Sequence, residues 1–67
     1  SAPSKGCVYL KDLNVGSLFQ IENGSTRGVL ISCEHDAHVI ITKSHDKDEL
    51  GKKYISAETS VKEITKV

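Results

Sequence analysis

Ser17-Leu18-Phe19-Gln20-Ile21-Glu22-Asn23-Gly24-Ser25-Thr26-Arg27-Gly28-Val29-Leu30-Ile31-Ser32-Cys33-Glu34 is the stretch that decides the fold. Phe19 and Ile21 alternate with polar neighbours over 17–22, the period of a half-buried strand. Residues 27–34 are rich in β-branched side chains and carry Val29, Ile31 and Cys33 at the same period. Between them stands Asn23-Gly24, the strongest short-range hairpin signal, because both residues tolerate the positive φ that a two-residue hairpin turn requires.

Working outward, His35-Asp36-Ala37 is a polar break. His38–Lys43 follows as a third strand with Val39 and Ile41 in phase, so the three strands are sequential and antiparallel. On this phasing Phe19, Ile21, Val29, Ile31, Cys33, Val39 and Ile41 form one core face, and Leu30 and Ile40 turn outward beside Gln20 and Ser32. Upstream, Val8, Leu10, Leu13 and Val15 are apolar anchors and Asn14-Val15-Gly16 is a turn into the first long strand. Downstream, 44–51 is a polar connection with room for one helical turn, and 52–56 is a short strand. Residues 57–60 form a tight or 3-10 turn. Val61, Ile64 and Val67 fit either a closing strand or a terminal helical turn over 61–67. Residues 1–6, with Pro, Ser and Gly and no periodicity, are expected to be a mobile tail ahead of a single domain over 7–67. The expected architecture is all-β: a small five-stranded, partly closed barrel with a tight 3-10 turn before the last strand.

Leu10-Lys11-Asp12-Leu13-Asn14-Val15-Gly16-Ser17-Leu18-Phe19 and the closing Thr59-Ser60-Val61-Lys62-Glu63-Ile64 resemble small SH3-like barrels of bacteriophage and bacterial proteins, which open on Leu-x-x-Leu-x-x-Gly-x-x-Phe and close on a Thr-x-Val segment. The resemblance implies an SH3-like fold and a viral origin. It brings no catalytic residues, and since members of that fold bind proteins, peptides or nucleic acids, function does not transfer with it.

The chain has 67 residues, nine basic and nine acidic side chains and a net charge of zero. Such a chain has room for one marginal core and no second domain, which makes a protein partner or self-association an expectation. Neutrality argues against a global field toward nucleic acid or anionic membrane. No apolar run is long enough to cross a bilayer, and the first residues lack the apolar stretch of a signal peptide, so a cytoplasmic location, the host cytoplasm for a viral protein, is expected. Two cysteines, Cys7 and Cys33, suggest reduced thiols, with Cys33 in the core.

Several motifs dissolve on inspection. Cys33, His35, His38 and His45 match no standard zinc spacing, and strand parity turns Cys33 inward and His38 outward, so no metal is expected. Asp46, Asp48 and Gly51 begin like a calcium loop, but its twelfth position would be Ala57. Ser44, His45 and Asp46 are neighbours on a loop and cannot meet as a triad, and no nucleophile elbow is present. Lys47-Asp48-Glu49-Leu50 is a retention signal only at a C-terminus, and Asn23-Gly24-Ser25 is explained by the turn. With no cofactor chemistry in view, the expected function is a non-catalytic binding module, a phage-encoded protein that binds or modulates a host protein through Gln20, Leu30, Ser32 and Ile40. The alternative is a nucleic-acid-binding barrel that uses Lys43, Lys47, Lys52, Lys53 and Tyr54.

Overall fold

The computed structural model describes residues 6–64. Apart from Gly6, the expected tail lies outside them, as do residues 65–67 of the expected last element. The strands are β1 (Val8–Tyr9), β2 (Leu18–Ile21), β3 (Arg27–Cys33), β4 (Asp36–Lys43), β5 (Gly51–Ser56) and β6 (Ser60–Glu63). They form one antiparallel six-stranded sheet in the order β1-β6-β2-β3-β4-β5. The class is all-β as expected, with one strand more: the Val8 anchor pairs with Val61 and extends the sheet past β6. The sheet does not close, because β1 and β5 stand at its two edges. The last segment is a strand over Ser60–Glu63.

Short-range chemistry shapes the connections. Gly16 has φ 96°, and Ser17 N donates to Asn14 O at 3.0 Å. A positive φ at the third residue of a four-residue turn is what a type II turn requires of glycine. The hairpin after β2 differs from expectation, since neither Asn23 nor Gly24 has positive φ. Instead Ile21 N donates to Thr26 O at 2.9 Å across a loop of residues 22–25, and Gly24 N donates to Ile21 O at 3.2 Å. The hairpin stands, with a longer and less strained turn. The 3-10 turns occupy Leu10–Asp12 and Lys47–Glu49, the latter capped by the Asp46 carboxylate, which accepts from Asp48 N at 2.9 Å. The segment before β6 is a simple β-turn, with Thr59 N donating to Ser56 O at 3.1 Å, and is not a 3-10 turn.

The core consists of Leu10, Phe19, Leu30, Ala37, Val39, Ile41 and Val61, with Leu13, Ile21, Cys33 and Ile55 packed against it. Phe19, Val39 and Ile41 point inward as the alternation predicts. Val29 and Ile31 do not join them, and Leu30, expected outward, is fully buried. The reason is a β-bulge. Leu30 pairs with Val39 and Ser32 pairs with His38, so β3 spends two residues where β4 spends one, and Ile31 is the extra residue. One added residue inverts the inward set on either side of it. Downstream, Cys33 pairs with buried Ala37 and sits on the inner side; upstream, Gly28 and Leu30 are the inward residues. A Cβ on Gly28 would lie 2.6 Å from Ile40 O and 3.1 Å from Phe19 Cζ. The ring of Phe19 thus lies over a strand that only glycine allows so close. A second bulge, at Thr42, separates the pairs Arg27–Lys43 and Gly28–Ile41.

Candidate functional site

Directly paired residues of an antiparallel ladder share a face, so the register defines what the sheet presents outward. Gln20 pairs with Lys62 on one side and Arg27 on the other, and Arg27 pairs with Lys43. The next row is Leu18, Val29, Ile40 and Lys52. Beyond it Ser32 pairs with His38 and His38 with Tyr54. A cationic row therefore borders a half-buried aliphatic row, which borders an aromatic pair.

The polar geometry of this face is organised. Gln20 Nε2 donates to the Gly24 carbonyl at 3.2 Å, and Arg27 Nε donates to Gln20 Oε1 at 3.0 Å. Gln20 thus ties the Arg27 side chain to the hairpin loop. His38 and Tyr54 stack with centroids 4.2 Å apart and planes at 14°, and Tyr54 is 70% exposed. A large aromatic side chain held flat and open to solvent is a ready contact surface. Among the described residues the one ion pair is Lys11–Glu58, at 3.3 Å near β1, so Arg27, Lys43, Lys52 and Lys62 have no carboxylate partner there. Beyond the aromatic pair, Ser32, Glu34, His35, Asp36 and Tyr54 line a groove of about 300 Å³ that bounds the cationic region.

Of the residues expected to bind a protein, Gln20, Ser32 and Ile40 do face outward, but Leu30 does not; the bulge buries it, and Leu18 and Val29 accompany Ile40 instead. Of those expected to bind nucleic acid, Lys43, Lys52 and Tyr54 share the outer face. Lys53 pairs with buried Val39 and faces the other way, while Lys47 lies in the 3-10 turn after β4. Arg27, Lys62 and His38 belong to the same surface and were missed. The signal for Lys62 and Arg27 exists only in cross-strand pairing, which joins residues far apart in sequence.

A second surface lies where the sheet stays open. Under β5, Ile21, Ile41 and Ile55 line a cleft of about 230 Å³ together with Thr26, Glu49, Lys53 and Tyr54. The thiols of Cys7 and Cys33 are unpaired, and no group of three or more His, Cys, Asp or Glu residues is arranged to hold a metal among the described residues. No helix among them is long and apolar enough to cross a membrane. No protein-family model, curated protein or solved structure matches the chain.

Proposed function

We propose that this chain is a small non-catalytic binding module, an SH3-like barrel of phage type that engages a host protein in the cytoplasm. The observation that carries the reading is the open seam: β5 is an edge strand, and the Ile21–Ile41–Ile55 cleft opens beside it. An edge strand offers unpaired N–H and C=O groups to an extended segment, whose main chain supplies the affinity and whose alternate side chains enter pockets for specificity. A partner segment added to β5 would place an aliphatic side chain over the cleft and an acidic one beside Lys53. The five-strand run β6-β2-β3-β4-β5, in which the last strand returns beside the first of the meander, supports the SH3-like assignment. The dispersal of the histidines supports a non-catalytic role, since His38 is stacked on Tyr54 while His35 and His45 sit in separate turns.

The test is capture from a nuclease-treated bacterial lysate by the parent and by Ile55→Asp and Lys53→Glu variants, each first checked for folding by circular dichroism. A stoichiometric protein retained by the parent and lost by the folded variants is expected. If the parent retains nothing, or the variants retain the same protein, the seam is not the binding surface.

A further inference from the structure

We infer that the outer face of the sheet is a binding site for single-stranded nucleic acid, a function beyond the protein-partner reading and on a surface that shares Tyr54 with the seam cleft but none of its other residues. Overall composition conceals a separation of charge. The chain as a whole is neutral. Yet the paired rows Lys62–Gln20–Arg27–Lys43, Leu18–Val29–Ile40–Lys52 and Ser32–His38–Tyr54 contain only cationic, neutral and aromatic side chains. Of the nearby acidic residues, Glu22 shares the outward parity of Gln20 and stands opposite Ser60 at one border of these rows, Glu34 and Asp36 line the groove at the other, and Asp46, Asp48 and Glu49 lie in the β4–β5 connection. The three central rows therefore carry four cations and no carboxylate, with the acidic side chains at their borders.

The chemistry of the face matches a polyanion with flat groups attached. Neighbouring strands are about 4.8 Å apart, so Lys62, Arg27 and Lys43, on β6, β3 and β4, form a line about 15 Å long across the sheet, with Lys52 beside it. Arg27 is held by Gln20 and presents a fork suited to phosphate oxygens. Tyr54, stacked on His38 and 70% exposed, leaves ring surface open on which an unpaired base can stack. The half-buried Leu18, Val29 and Ile40 lie between the cations and the ring as an apolar floor for sugars and base edges. Double-stranded DNA would engage the cations and leave the tyrosine unused, so the geometry selects a single strand. Phosphate and base are common to DNA and RNA, and these contacts alone do not separate the two.

The experiment measures fluorescence anisotropy of the full chain with labelled oligo(dT) and oligo(rU) about a dozen nucleotides long, beside a duplex and polyglutamate. Both single strands are expected to bind, with log affinity falling against log salt with a slope of about −2 to −3 for three or four phosphate contacts. Tighter oligo(rU) would add a 2′-hydroxyl contact; equal binding would assign the shared phosphate and base. Tyr54→Ala should weaken binding about tenfold or more without changing the slope, and Arg27→Ala and Lys43→Ala should each reduce its magnitude by about 0.7. Lys47→Ala and Lys11→Ala, outside the face, should bind as the parent does. The inference is overturned if neither oligonucleotide binds, if duplex or polyglutamate binds as tightly, if folded Tyr54→Ala is unimpaired, or if Lys47→Ala loses as much as Arg27→Ala. None of these outcomes bears on the seam, which is tested in nuclease-treated lysate.

Discussion

β4 and β5 are antiparallel neighbours of similar length, yet they do opposite work. β4 buries Ala37, Val39 and Ile41 on one side, because β3 and β5 flank it and Phe19 and Leu30 pack beneath. β5 has no fully buried residue, and its apolar contribution to the core is half-buried Ile55. Similar strands thus differ because one lies within the sheet and the other at its edge. β4 supplies stability, and β5 supplies accessible surface on both sides: Ile55 and Lys53 toward the cleft, Lys52 toward the outer face, and Tyr54 paired with His38 on that face while also lining the cleft.

The largest expected effect tests which face of β3 is buried in the core. Leu30→Ala should cost about 2–5 kcal/mol, enough to unfold much of a domain this small. Ile31→Ala, at the half-buried bulge, should cost under about 1.5 kcal/mol. Urea denaturation of the pair decides it, and the reverse order would restore the strict alternation that the bulge breaks. Next comes Gly28→Ala, where an added methyl would collide with the Ile40 carbonyl and the Phe19 ring. A loss of about 1–3 kcal/mol is expected, and a variant as stable as its parent would show that the Phe19 contact is loose.

The β4–β5 contrast itself is sharpened by Val39→Ala against Ile55→Ala. The first should lose about 2 kcal/mol and the second about 1, read as a difference in thermal midpoint. Equal losses would mean that β5 is as much a core strand as β4. The smallest effect belongs to Ser60→Ala near the opposite edge, at the β1–β6 pair. Ser60 Oγ is buried with no hydrogen-bond partner among the described residues. Removing an unsatisfied hydroxyl should be neutral or stabilise by up to about 1 kcal/mol, whereas a clear loss in chemical denaturation would point to a partner for that oxygen.

How far the sequence was legible follows the range of the forces involved. The strands over 17–22, 27–34 and 38–43 are readable because alternation and β-branching act within a few residues. The turn at Asn14–Ser17 is readable because Gly16 carries its own conformational signature. Gly28 is a local signal of the same kind: a glycine inside a strand marks a close backbone approach, and it shares its parity with Leu30 on that side of the bulge. Of the candidate residues, Gln20, Ser32 and Ile40 face outward as the alternation predicts, and Lys43, Lys52 and Tyr54, expected along an edge, share that face. Leu30 was misplaced, Lys53 and Lys47 lie elsewhere, and Arg27, His38 and Lys62 were absent from the expectation.

By itself the sequence determined that this protein is all-β, that a meander forms its centre and where the chain turns, because these depend on periodicity and on the local freedom of a few residues. Only the tertiary structure decided which face of β3 is buried, that the sheet stays open at β5 and that Lys62, Arg27 and Lys43 stand in one row. A bulge costs one residue and leaves no distinct mark in the composition around it, yet it inverts a strand. Cross-strand neighbours are chosen by register, a property of two segments at once and of neither alone.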